Sequence, residues 1–382
     1  NTRLVGSEMC IRDRFIVEGM KVTSFLVLSG LILLVGCDRS LERKAIEMSL
    51  ENAIIDTHID TPYRLYKQQM DTGSFEDITR RTSIHFDLPR ALEGGLNVPF
   101  FAIYVPAVDE TNGVAFDTAN KVIDFMNAII EENDRFFYFV RSPEDIDKST
   151  FNRKVGIAYG MENGGPLEGK LERLKYFADK GISYITLTHS KSNHISDSSY
   201  DETRQWDGLS PFGVEVVKEM NRLGMMIDIS HVSDEAFFQV LELSSAPTVA
   251  THSSLRHFVP DFERNVSDEM MIALAKNDGV LQLNFGDYFI RDVRNNPDLK
   301  VTIADVVDHV DRVVDLVGID HIGIGSDYDG IPRLPVGLED VSTYPQFIKE
   351  LLVRGYSDED IKKIMNGNIL RVWKEVRRLA GD

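Results

Sequence analysis

"IIDTHIDTPYRL" (residues 54–65) begins as an apolar run and ends by setting His58 and Asp60 two positions apart. Side chains along a strand alternate with period two, so an imidazole and a carboxylate at that spacing point to one side. Taken alone, the pair reads as readily as a strand-end histidine followed by an N-capping aspartate. The fold is decided by what lies downstream. Apolar runs recur at 97–105, 154–162, 182–189, 225–231, 247–253, 279–285 and 321–327, and with 53–60 they make eight candidate strands. Most are continuous rather than alternating, as expected for strands covered on both faces. Helical patterns separate them, for example 113–133, 166–181 and 302–318. Ser233 and Ser267 stand as N-caps before acidic first turns, and Gly181 as a C-cap. Eight strands alternating with helices predict an α/β fold, a TIM-type (β/α)8 barrel in a single domain. An open doubly wound sheet is the competing reading. It lacks the glycine-rich phosphate loop after the first strand that would favour it.

In such a barrel, chemistry gathers at the C-terminal ends of the strands. Those ends carry His58 and Asp60, Glu162, His189, His231, His252 and Asp327. A polar side chain at such a place is otherwise a burial cost. Four of the nine histidines fall on this one rim. Neutral imidazoles and carboxylates that converge suit a borderline divalent cation, zinc above all, and the set is large enough for two ions bridged by a carboxylate. His85, His194, His257, His309 and His321 fall in loops, on helices or at a strand start, and are expected to be structural.

The 382-residue chain is 43% hydrophobic and carries a net charge of −19. That acidity argues against nucleic acid as a partner and against anionic lipid patches. Its two cysteines, Cys10 and Cys37, precede the barrel, which excludes a disulfide framework there. Residues 20–36 combine a basic start with an apolar stretch too short to span a bilayer comfortably. "LVGC" at 34–37 then resembles a bacterial lipobox, which implies lipidation of Cys37 and placement in the bacterial cell envelope, facing the periplasm or exterior. Residues 1–19 fit neither part and are expected to be a non-native extension. Residues 37–50 are expected as a polar tether, and 51–382 as the barrel domain.

Several stretches resemble the renal, or membrane, dipeptidase family of the amidohydrolase superfamily. They are "IDTHIDTP", "DLPRALEGGLNVPFFAIYVP", "GMENGGPL", "ITLTHSKSN", "DISHVSDEAF", "THSSLRHFVPDFERNVSDEMM" and "HIGIGSDYDG". The likeness runs from about residue 50 to "NGNILRVW" at 366–373. It implies two Zn2+ ions, one held by His58 and Asp60, the other by His231 and His252, with Glu162 bridging. It implies that a metal-bridging hydroxide attacks the peptide carbonyl of a dipeptide, L-L or L-D. His189 would polarise that carbonyl, Arg264 would pair with the substrate's terminal carboxylate, and Asp327 would handle the proton. A homodimer is common in the family. Lys191 lies beyond the fourth-strand end, so Glu162 rather than a modified lysine is expected as the bridge. Two other readings stay open: an N-acyl-amino-acid or lactone hydrolase on the same scaffold, and an inactive lipid-anchored peptide-binding protein.

Overall fold

The computed structural model describes residues 39–381. The expected extension, the leader and Cys37 lie outside them. Among the described residues there are nine strands: β1 (Ile54–Ile59), β2 (Leu96–Tyr104), β3 (Phe137–Phe139), β4 (Val155–Glu162), β5 (Ile182–Thr186), β6 (Met226–Asp228), β7 (Val249–Ser253), β8 (Val280–Leu283) and β9 (Ile322–Ile324). All but β3 form one parallel sheet in the order β1-β2-β4-β5-β6-β7-β8-β9. The rim closes where Ile59 bridges Tyr328. There Asp60 N donates to Tyr328 O at 2.8 Å and Asp327 N to His58 O at 3.0 Å. The fold is the expected TIM-type barrel. The sequence reading missed β3, three residues that extend the sheet sideways by pairing with the start of β4.

Residues 39–51 are helical, so the described part of the expected 37–50 tether is a helix. Ala45 and Met48 are buried in the main core. With Leu41 they make an i, i+4, i+7 stripe, the spacing of one helix face, and that face gives the segment a reason to dock.

The interior of the barrel is a packed core. Ile55, Val98, Phe100, Ala158, Tyr184, Met226, Val249 and Val280 fill it. The helix Asn368–Ala380 plugs the bottom with Ile369, Val372, Trp373 and Val376, again one helical face. Each such large side chain contributes roughly 1.5–3 kcal/mol by leaving water. One strand position makes room for the site above. A Cβ on Gly160 would lie 1.9 Å from the Tyr184 ring, so only glycine in β4 lets that phenol stand in the barrel centre. The larger main core, between strands and outer helices, holds the helices in place.

His309 belongs to that outer layer. It sits fully buried on the helix Ile303–Val317. Its Nδ1 accepts from Leu255 N at 3.1 Å and its Nε2 donates to Ile290 O at 3.0 Å. Burial pushes this imidazole down to about 3. Its folded pKa is below the ordinary value of about 6.5, so it contributes stability above that pH and loses it as pH falls toward the folded value. By about pH 5 this one group should remove about 2 kcal/mol of stability. Urea unfolding at neutral pH and at about pH 5 checks this. His309→Gln should show a pH dependence smaller by that amount, and an unchanged slope would assign the acid sensitivity elsewhere.

Candidate active site

Seven candidate residues arrive at one rim, and the local backbone explains how. Glu162 is the last residue of β4, paired with Tyr104 on one side and Thr186 on the other. His252 lies within β7. His189, His231 and Asp327 were expected at strand ends. They sit three residues past the last paired residue of β5, β6 and β9. His231 (φ 69°) and Asp327 (φ 64°) take left-handed backbone, as do Asn163 (φ 81°) and Asp329 (φ 70°). Such conformations cost of the order of 1 kcal/mol each in non-glycine residues and turn the chain sharply inward. Gly330 serves the same crowding: a Cβ there would lie 2.2 Å from Asp60 Oδ2 and 2.3 Å from Asp327 Oδ1.

Glu162 is the hub. Its Oε1 faces His231 Nε2 at 3.1 Å, His252 Nε2 at 3.3 Å and His189 Nε2 at 3.4 Å. Its Oε2 faces His58 Nε2 at 3.6 Å. Asp60 Oδ2 stands 3.5 Å from the same His58 nitrogen. Three overlapping groups have the spacing to hold a cation: His58, Glu162 and His252; Glu162, His189 and His231; His58, Asp60 and Asp327. The two carboxylate oxygens of Glu162 thus address different sets of donors. His252 is shared between the expected pairings, close to His231 and also stacked on His58 with ring centroids 3.7 Å apart. His189 and Asp327 fall among the candidate ligands as well as beside them.

The donor chemistry fits cations. His231 Nε2 and His252 Nε2 are 2.8 Å apart, so a proton or a cation has to lie between their lone pairs. His58 Nε2 is buried and has no hydrogen-bond partner among the described residues. Its other nitrogen is fixed: Nδ1 lies 2.9 Å from the Tyr184 hydroxyl, and that hydroxyl donates its only hydrogen to Thr57 O. Nδ1 therefore carries a proton, and Nε2 is the atom turned to the site. Burial drives Tyr184 upward, which keeps the phenol protonated.

The electrostatics follow from burial. Burial opposes charge on Glu162, but the surrounding imidazoles, His189 and His58 first and then His231 and His252, outweigh it and hold the carboxyl well below its usual range. Burial, then Arg264 and His189, push His231 far down; burial, then His58 and Arg264, do the same to His252. Both rings stay neutral, the form that ligates a metal. Burial and the Asp60 charge raise Asp327 well above an ordinary carboxyl, so it holds a proton readily.

The open side is a cavity of about 480 Å3. Tyr63, Tyr104, Tyr200, Tyr288 and Phe289 form much of its wall around Glu162, His189, His231 and Asp327. Arg264 is 3% exposed, not a surface loop residue. Its guanidinium donates to Ser253 Oγ at 2.5 Å and to His252 O at 2.7 Å, and lies 5.2 Å above the Phe289 ring. His85, His257, His309 and His321 stay outside the cluster. His194 pairs with Glu110 at 2.6 Å instead. Sequence reading missed Asn284, whose amide donates to Asp327 Oδ2 at 2.7 Å. The signal was present, a polar residue closing the apolar run "VLQLNF".

The profile of the family described as Membrane dipeptidase (Peptidase family M19) matches residues 42–382. The chain belongs to that family. It is therefore a peptide-bond hydrolase of the metallo-dipeptidase type. An uncharacterized dipeptidase of Schizosaccharomyces pombe is 35% identical over 343 residues, covering 86% of this chain and 81% of the yeast one. A crystal structure of the probable dipeptidase PvdM from Pseudomonas aeruginosa superposes with a TM-score of 0.80 at 26% identity, over 89% of this dipeptidase and 99% of that chain. A metallopeptidase from Rhodobacter sphaeroides, solved with a phosphinate mimic of the dipeptide L-Ala-D-Ala, shares the fold at 24% identity with a TM-score of 0.75, over 85% of this chain and 99% of its own.

Proposed function

We propose that this dipeptidase hydrolyses L-L and L-D dipeptides with two zinc ions held by His58, Asp60, Glu162, His231 and His252. The observation that carries the reading is Glu162, which turns one oxygen to three histidines and the other to His58. Bound there, the cations supply Lewis acidity and a water of lowered pKa. The remaining roles belong to the chain. His189, part-exposed at the cavity wall, donates toward the scissile carbonyl oxygen. Asp327, as a carboxylate made more basic by burial beside Asp60, takes the proton of the attacking water and then, as the carboxylic acid, delivers it to the leaving amine. Arg264 pairs with the terminal carboxylate and so limits substrates to short peptides. The phosphinate mimic bound by the Rhodobacter sphaeroides peptidase supports tolerance of a D residue at the C-terminal position. The lipobox at 34–37 supports a lipid anchor at Cys37, in the cell envelope of a bacterium.

The test is a panel of L-L and L-D dipeptides, N-acyl amino acids and lactones, assayed with chelated and zinc-restored protein. Dipeptides should be cleaved only after metal is restored, and faster than the other classes. A lactone or N-acyl amino acid with higher kcat/KM than every dipeptide would move the substrate assignment to another amidohydrolase activity.

A further inference from the structure

Below the cluster of candidate ligands, Asp228 ends β6 with no exposure to solvent. Both of its oxygens act as acceptors. Oδ1 takes Ser230 N and Thr251 N, each at 2.9 Å. Oδ2 takes the Thr186 hydroxyl and, at 2.7 Å, the Thr251 hydroxyl. Thr251 has one hydroxyl hydrogen, and that bond uses it. The Thr251 oxygen also lies 2.8 Å from His252 Nδ1, so there it can only accept. His252 must then carry its proton on Nδ1 and turn a bare Nε2 to Glu162 and His231.

We propose that Asp228 is a positioning residue that sets the tautomer of His252 through the Thr251 hydroxyl, and that metal affinity at this site depends on that relay. The inference rests on His252 being a metal ligand. Hydrogen-bond direction makes it specific. In Asp228→Asn the two backbone N–H groups are fixed donors, so the amide oxygen must face them. The amide nitrogen then faces Thr186 and Thr251, and both hydroxyls must accept from it. The hydrogen of Thr251 is turned out, and the nearest acceptor is His252 Nδ1. The ring is forced to protonate at Nε2, the atom needed for the metal. The substitution keeps the size of the side chain and reverses the polarity of the relay.

Imidazole 15N spectra of metal-free protein, at a pH where the rings are neutral, read the tautomer directly; loss of one signal in His252→Gln assigns it. Wild type should show Nδ1–H at His252, and Asp228→Asn should show Nε2–H. Competition with a chelator should give zinc binding weaker by roughly 10- to 100-fold, the usual effect of an outer-sphere partner. Thr251→Ser keeps the hydroxyl and should match wild type. Thr251→Val removes it and should weaken zinc by a similar factor. In the Thr251→Val background, adding Asp228→Asn should change affinity by less than about twofold, because the relay is already broken. A general structural defect would not produce that pattern. If Asp228→Asn does not fold, the Ser and Val variants decide: equal zinc affinity and an unchanged His252 ring in Thr251→Val overturn the proposal. Wild type that binds no zinc overturns the ligand reading of His252 and this proposal with it. Wild type that binds zinc beside a folded Asp228→Asn that keeps Nδ1–H overturns the relay alone.

Discussion

Glu162→Gln should lose metal and activity together. The side chain is buried, faces four imidazoles, and is held ionised by them despite its burial. An amide of the same size keeps one acceptor oxygen and replaces the other with a donor. That donor would point at His58 on one side, or at His231, His252 and His189 on the other. Whichever way the amide turns, one group of ligand nitrogens faces an N–H where a carboxylate oxygen would share a cation with it, and the cluster loses its central negative charge. Removing one partner from a buried charged pair costs about 3–5 kcal/mol. On that scale metal affinity should fall roughly 10^2- to 10^4-fold at one or both positions. Elemental analysis after dialysis against metal-free buffer should find at least one ion fewer per chain than in wild type, with dipeptide hydrolysis at background. A variant that keeps the wild-type metal content would show that Glu162 is not the bridge.

How much of this was legible in the sequence depended on whether the signal was a break in a pattern. His58, Glu162 and His252 interrupt apolar runs, and each interruption is visible without a structure. The eight barrel strands were legible for the same reason, since strands covered on both faces read as unbroken apolar stretches. Tyr184, Thr251 and Gly160 break nothing. Threonine and tyrosine are ordinary strand residues, and a glycine at 160 looks like a weak spot in β4. Only the third dimension shows that Gly160 admits the Tyr184 ring, and that this ring fixes the proton of His58. The inward turns at His231 and Asp327 were hidden too, because positive φ at a histidine or aspartate has no sequence mark as plain as glycine. The helix over 39–51 was a different kind of miss. Its apolar stripe is thin, three positions amid charged residues, and a polar average concealed a docked face.

Arg264→Met should lose most of the discrimination between a dipeptide and its C-terminal amide. A surface arginine could be replaced with little consequence. Arg264 is buried, and two of its donors are committed to Ser253 Oγ and His252 O, which fastens the guanidinium to the strand that carries a candidate metal ligand. A guanidinium has five N–H groups. Nε–H is buried without a partner among the described residues. Phe289, beneath the guanidinium, lines the cavity, so the unspent donors are close to where a short peptide would end. A charge-assisted, desolvated pair of this kind is worth on the order of 2–5 kcal/mol in the transition state. Its loss corresponds to roughly 30- to several-thousand-fold in kcat/KM for the free acid. The amide substrate, which never makes the ion pair, should lose far less. The ratio of the two substrates therefore isolates recognition from the second consequence of the substitution, a loosened His252 strand end, which would lower both alike and would also appear as lost metal. Methionine keeps much of the packing against Phe289 and makes metal retention a fair control. A metal-replete Arg264→Met that still prefers the acid as strongly as wild type would mean that another group holds the carboxylate. Lys67 and Arg64, on the helix Thr61–Thr72 at the cavity wall, would then be the cations to replace next.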